Sequence, residues 1–202
     1  SKSTLHNMDQ INRLDIRIGD TVVIQKAGDV IPEVVEVLTK LRTGKEKKPK
    51  APKKCPECAG KVMKEKEEEV AFRCINPSCP AQLEKGLIHF ASRGAMDIEG
   101  MGKAVVEQLV KGGLVKDFAD IYYLKKEDLL ELELFADKKT ENLLKAIERC
   151  KKQPLSRLLY ALGIRHVGQK TAYVLAREFK TLDKLLEAKR EDLDRIFEIG
   201  LV

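Results

Sequence analysis

Four cysteines in the order Cys55-x2-Cys58-x15-Cys74-x4-Cys79 constrain this chain more than any other feature. Two close pairs separated by a short excursion can converge on one tetrahedral ion, and zinc favours thiolate sulfur at every corner of a structural site. With all four corners taken by protein, no position remains for an activated water, so about one zinc per chain is expected to hold structure without catalysing. Cys55-Pro56-Glu57-Cys58-Ala59-Gly60 has the tight turn that lets backbone amides point at sulfur, and Cys74-Ile75-Asn76-Pro77-Ser78-Cys79-Pro80 supplies a second turn-forming pair. The alternative is two disulfides. Against it, nothing marks secretion, Cys150 would be left over, and Cys-x-x-Cys spacing is typical of metal sites.

The 202 residues, 43% of them hydrophobic, suffice for several small compact units. No apolar run approaches the roughly 20 residues that cross a bilayer, and no secretory signal opens the chain, so a cytoplasmic location is expected. The chain starts at Ser1 and stops at Ile199-Gly200-Leu201-Val202, inside a recurring motif described below, and so reads as an excised piece. A net charge of +6 and a pI near 9.0 favour a polyanionic partner, and the placement of the charge matters more than its total. Residues 40–54 hold eight basic side chains and one acidic, with two prolines and no apolar period, which marks a solvated linker. Residues 145–180 hold nine Lys or Arg against Glu148 and Glu178, inside sequence of helical pattern.

The organisation that follows is multidomain α+β. Residues 1–38 carry β-branched runs split by Gly-Asp turns: Asp15-Ile16-Arg17-Ile18, Thr21 to Lys26, and Val30 to Val37. They suit part of a small β-barrel of the oligonucleotide-binding (OB) type, too few strands to close one. Residues 39–54 are the basic linker and 55–79 the four-cysteine module, with a short hairpin around the acidic turn Glu65 to Glu69. From Pro80 to residue 202 the period is helical, with Pro80 at a first turn.

That helical region repeats one device. Ile98-Glu99-Gly100-Met101-Gly102-Lys103 precedes a helix over 103–111, and Ile164-Arg165-His166-Val167-Gly168-Gln169-Lys170 precedes a helix over 169–179. A degenerate copy, Leu132-Glu133-Leu134-Phe135-Ala136-Asp137-Lys138, lacks both glycines, and a fourth, Ile196-Phe197-Glu198-Ile199-Gly200, is cut short. Helix, hydrophobic-Gly turn and helix form a helix-hairpin-helix unit, and its physics is that of a phosphate site. Amides at the second helix start have no intrahelical partner, the helix dipole is positive there, and Lys103 or Lys170 follows within two residues. The copy at Ile164 to Lys170, third in chain order, is expected to carry more of this affinity than the degenerate second one at Leu132 to Lys138. A nucleotide-binding P-loop across Gly163 to Thr171 fails, because Gln169 is inserted before the lysine and the preceding segment is helical in pattern. His6, His89 and His166 lack the spacing of a metal or acid-base pair. Arg13, Arg17 and Lys26 could line a nucleic-acid groove on the β segment.

Taken together, Ser3-Thr4-Leu5-His6-Asn7, Asp15 to Asp20, Lys26-Ala27-Gly28-Asp29-Val30-Ile31-Pro32, the four-cysteine knuckle ending Cys79-Pro80-Ala81-Gln82, Phe90 to Gly100 and Leu162 to Gly168 resemble bacterial NAD-dependent DNA ligases. The resemblance covers nearly the whole chain. It implies a C-terminal fragment of a nick-sealing enzyme of DNA replication and repair, whose upstream adenylation domain uses NAD and magnesium and carries a Lys-x-Asp-Gly motif that this sequence lacks. It implies no catalytic residue here. The expected metal ligands are Cys55, Cys58, Cys74 and Cys79, and the expected DNA contacts are Lys26, Gly100, Gly102, Lys103, Arg165, His166, Gly168 and Lys170, all sequence-independent contacts to nicked duplex. The alternatives are a structure-specific DNA-repair module with zinc and tandem hairpins, and a zinc scaffold that binds only protein.

Overall fold

In the computed structural model, residues 2–5, 7–27, 31–64, 69–76 and 78–196 are described. The expected Gly28-Asp29 turn, His6, most of the acidic turn from Glu65, Pro77 and the fourth turn from Phe197 onward lie outside them. The chain divides into two compact units, Ser1–Cys79 and Pro80–Val202.

The first unit opens on a helix absent from the sequence expectation, α1 (Met8–Arg13). Asn7 caps it by accepting from the Asp9 and Gln10 amides, and Met8, Ile11 and Leu14, three residues apart, turn one apolar face inward. Two antiparallel strands follow, β1 (Val22–Ala27) and β2 (Ile31–Val37), in a register pairing Val22 with Val37 and Lys26 with Pro32, with an irregularity between Val23 and Ile24. Ile11, Ile16, Val34 and Val37 form the small core between helix and hairpin.

The expected strand at Asp15–Ile18 is instead a clasp. Asp15 takes a left-handed backbone (φ 47°), and only Ile18 makes a bridge, to Lys47. The Arg42 guanidinium donates from Nε and Nη2 to the two Asp20 oxygens at 2.8 and 2.9 Å, and from Nη1 to Asp15 Oδ2 at 2.8 Å. Its planar fork fits two carboxylates at once, which no lysine could do. The Arg42 guanidinium holds both the Asp15 and Asp20 carboxyls below the usual range. Residues 39–47, expected as solvated tether, are therefore partly folded: Thr39–Leu41 form a 3-10 turn, and Glu46 accepts from the Thr43 and Gly44 amides. Arg17, proposed for a groove, donates to Asp15, and Arg13 ends a helix instead of lying on a strand face.

The cysteine module contains a two-residue hairpin, β3 (Val62–Met63) against β4 (Arg73–Cys74), extended by a bridge between Lys54 and Lys61.

The described residues of the second unit form helices and turns, with no strand among them. Its helices are α2 (Pro80–Ala91), α3 (Lys103–Lys111), α4 (Lys126–Leu130), α5 (Asp137–Cys150), α6 (Leu155–Ala161), α7 (Gln169–Phe179), α8 (Leu182–Glu187) and α9 (Arg190–Asp194). The helices expected at 103–111 and 169–179 have those bounds. One apolar core of Leu87, Phe90, Val106, Leu109, Ile121, Leu129, Leu143 and Ile147 joins α2 to α5, and a second, of Leu159, Ala172 and Leu175, joins α6 to α7. Polar contacts link the two: the His89 ring bonds the Tyr160 carbonyl at 2.9 Å, and Arg157 donates to the Ala95 and Arg93 carbonyls. The repeated Glu-Asp-Leu segments do the same job twice. Asp128 accepts from the Lys125 amide at 2.9 Å and Asp192 from the Lys189 amide at 3.0 Å, each closing the start of α4 or α9.

Candidate metal centre and hairpin turns

The four sulfurs of Cys55, Cys58, Cys74 and Cys79 lie within 4.8 Å of one another. Cys55 and Cys79 are 3.8 Å apart and Cys58 and Cys74 3.5 Å, far beyond a disulfide bond, and all are free thiols. A tetrahedral ion with zinc–sulfur bonds of about 2.3 Å needs sulfurs roughly 3.8 Å apart, so the cluster fits zinc. The knuckle that delivers the first pair closes with Ala59 N–H donating to Cys55 O at 2.9 Å and Cys55 N–H donating to Gly60 O at 2.7 Å, with Ala59 left-handed at φ 55°. Gly60 leaves little room for a side chain: a β-carbon would lie 3.0 Å from Asn76 Cβ and 3.1 Å from Cys58 Sγ, so the second knuckle would have to give by a few tenths of an ångström. In the second knuckle, Asn76 O accepts from the Cys79 amide at 3.1 Å and Asn76 Oδ1 from the Ser78 amide at 3.1 Å.

Asn76 does more than turn the chain. Its side-chain amide, helped by the Gly60 N–H, holds the Cys58 thiol down to about 6. At Cys74 the Asn76 backbone N–H pulls the same way, but burial and the neighbouring Cys58 and Cys55 thiols outweigh it and push that thiol up to about 11. Crowded thiolates oppose one another's ionisation, and a divalent cation removes the conflict. The sequence placed Asn76 in a turn but gave no sign that it serves both sulfurs.

The three described hairpin turns are one structure. Met101 N–H donates to Ile98 O at 3.2 Å, Phe135 N–H to Leu132 O at 3.2 Å, and Val167 N–H to Ile164 O at 3.0 Å. In each, the third turn residue is left-handed: Gly100 at φ 88°, Leu134 at 61° and His166 at 64°. Two residues later comes the helix N-cap, with φ and ψ of −79° and 177° at Gly102, −78° and 178° at Gly168, and −129° and 169° at Ala136. No side chain caps any of the three. Each cap carbonyl accepts the first helical bond, from Val106, Thr140 or Ala172. A β-carbon at Gly102 or Gly168 would meet nothing within 4 Å, so these glycines do not serve packing. Loss of both glycines leaves the second turn formed.

Gly100 and Gly102 therefore lie in the turn ahead of α3, with Lys103 the first residue of that helix, and Arg165, His166 and Gly168 in the turn ahead of α7, with Lys170 its second. Lys103 Nζ stands 3.6 Å from Glu107 and is largely exposed. Lys26 lies on β1, exposed, in the other compact unit.

Comparison with known families decides the lineage. Residues 1–46 match the profile described as NAD-dependent DNA ligase OB-fold domain, 54–81 that of the NAD-dependent DNA ligase C4 zinc finger domain, and 157–202 that of the helix-hairpin-helix motif. The chain belongs to the NAD-dependent DNA ligases. It is 51% identical over 202 residues to a DNA ligase of Endomicrobium trichonymphae, 54% over 199 to one of Natranaerobius thermophilus, and 53% over 199 to one of Bacillus licheniformis. Alignment takes in 98–100% of this chain, which spans 30% of the length of those ligases. No described helix is long and apolar enough to cross a membrane.

Proposed function

We propose that this stretch of a ligase grips duplex DNA on either side of a nick, through sequence-independent phosphate contacts, while nucleotidyl transfer from NAD, with magnesium, is carried out by an adenylation domain elsewhere in the protein. The observation that carries the reading is the pairing of two glycine N-caps with the same backbone angles, each uncapped by any side chain and open above the Cα. Such a helix start presents amides that have no intrahelical acceptor and a positive dipole end to an anion, and the absent side chain lets a sugar-phosphate backbone close to contact distance. Contacts of this kind position a duplex without reading its sequence. Zinc held by Cys55, Cys58, Cys74 and Cys79 would serve as a structural joint, since its four thiolates leave no open corner.

The decisive experiment measures affinity for nicked and intact duplexes across a salt series. Lys170→Ala is expected to lower the slope of log affinity against log salt by about 0.9, equally for unrelated sequences. Gly168→Val is expected to weaken binding with the fold intact, because valine tolerates φ −78° and ψ 178° and only its bulk at the turn is new. Labelled NAD should leave no covalent AMP on this chain. A zinc scaffold that binds only protein would show no duplex affinity at any salt. A free-standing repair module is disfavoured because the β segment matches the ligase OB-fold profile.

A further inference from the structure

The charge excess in residues 145–180 divides between two places. Lys145 and Arg149 sit on α5, on the same helix face as Lys138 and Asn142, since positions 138, 142, 145 and 149 recur at intervals of four, three and four. All four side chains are exposed. They line a groove of about 700 Å³ together with the first hairpin turn, at Glu99 and Gly100, and with Leu134 of the second. Leu143 on α5 packs beneath that turn, 3.8 Å from where a Gly100 β-carbon would stand, so turn and helix are held together through the core. The cations thus belong to the surface of the first hairpin, although by sequence they precede the third.

Across the groove mouth Arg149 Nη2 faces Glu99 Oε2 at 3.5 Å, with the Arg149 side chain 59% and the Glu99 side chain 83% exposed. A loose, solvated pair of this kind contributes little to the fold. What it does is put an oxyanion where a phosphate would meet Arg149.

We propose that this groove is a second track for the duplex sugar-phosphate backbone, continuous with the first hairpin turn, in which Glu99 competes with phosphate for Arg149. The proposal rests on the duplex-gripping reading above. Lys145 and Arg149 supply cations on the α5 side of the groove, and the Gly100 turn, which has no side chain, keeps the opposite side low enough for a backbone to lie between them. Glu99 acts as a built-in competitor, so that a ligand presenting several phosphates in a row gains more from the groove than a single anion does. Isolated anions gain one contact and must break one.

The test measures duplex affinity over a salt series for Lys145→Ala/Arg149→Ala, for Glu99→Gln, for the charge control Lys111→Ala on α3 outside the groove, and for Lys170→Ala as the benchmark of the parent reading. Far-UV circular dichroism verifies that each variant keeps its helices. The double variant is expected to lose about 1.8 from the salt slope, and Lys111→Ala to leave it unchanged. Glu99→Gln is expected to tighten binding about 1.4- to five-fold, the range an exposed ion pair of 0.2–1 kcal/mol allows. The proposal is overturned if the double variant keeps the parent slope while Lys170→Ala loses one contact, or if Glu99→Gln weakens binding. A slope unmoved by the double variant and by Lys170→Ala alike would overturn the duplex reading along with it.

Discussion

The two compact units solve the problem of stability in opposite ways. Pro80 to residue 196 buries extensive apolar surface in two cores, with Leu87, Leu109, Ile121, Leu129 and Leu143 almost wholly inaccessible. Ser1–Cys79 buries little: Ile11, Ile16, Val34 and Val37 in one cluster, and Cys55 and Cys79 at the metal site. A unit of that size with so small a core needs staples. Here they are the Arg42 clasp on Asp15 and Asp20 and the four thiols. Apolar area holds one unit, and directed polar and metal bonds hold the other, which makes the first unit sensitive to solution chemistry that the second ignores.

The largest expected effect separates them outright. Structural zinc in small modules contributes on the order of 10 kcal/mol to local folding, so a strong chelator should unfold residues 55–79 and leave the helical circular dichroism of the second unit in place. Heteronuclear NMR of the chelated protein checks this. Collapse of the helical signal together with the module would show that the division is false, and freshly purified protein without zinc would remove its premise.

The converse comes next. Leu109→Ala removes a fully buried side chain from the helical core and should cost about 2–5 kcal/mol in the second unit. Bound zinc, measured by metal analysis at a temperature where the helices have melted, should be retained.

A smaller effect tests the clasp. Carboxyls held below their unfolded value stabilise the fold above that value, about 3.9 for aspartate, and the contribution is lost as pH falls toward the depressed folded value. Arg42→Ala should therefore destabilise the first unit at neutral pH, and the gap between variant and parent should close as pH drops below about 4. Urea unfolding followed at the Ile16 and Val34 methyls at several pH values reads this directly. A gap that does not depend on pH would assign the loss to packing instead of charge.

The same contrast explains which parts were legible in the sequence. The second unit is built from local signals: Pro80 at a first turn, Gly102 and Gly168 as N-caps, and apolar residues at helical spacing, so α3 and α7 were read with their observed bounds. The cysteine spacing was equally plain, because metal ligation imposes it. The first unit hid its organisation because its partners are distant. Arg42 reaches Asp15 and Asp20 across 27 and 22 residues, and nothing in a run such as Asp15-Ile16-Arg17-Ile18 reveals that its first residue is tied to a later arginine and its last to Lys47. The short helix α1 carried an Asn7 cap and the three-residue spacing of Met8, Ile11 and Leu14, a signal outweighed by the β-branched residues around it. At the candidate site, the glycines pointed to the turns, but turn geometry proved independent of them. What escaped a linear reading was the alignment of Lys145 and Arg149 with a turn 45 residues earlier at Gly100.

The smallest effect concerns that second turn, where Leu134 occupies the left-handed position held by Gly100 and His166 in its counterparts. Leucine in this region costs roughly 1–2 kcal/mol, because its Cβ crowds the following carbonyl. With 92% of its surface exposed it recovers almost nothing by burial. The turn forms anyway because Leu132, Phe135 and Leu143 anchor it to the core on both sides, so the strain is borne by the unit as a whole. Leu134→Gly should relieve that strain and return part of the gain as unfolded-chain entropy, about 0.4–1 kcal/mol, leaving the helical unit unchanged or up to roughly 1 kcal/mol more stable. Truncation of an exposed leucine would ordinarily be silent or slightly harmful, so a rise in Tm is the informative sign. Duplex affinity should rise slightly in the same variant, since the exposed side chain is part of the lining of the groove that the α5 cations share. Lower stability with the turn intact would mean that Leu134 has a partner its exposure conceals, and the turn geometry would then owe its formation to that contact and not to the anchoring residues beneath it.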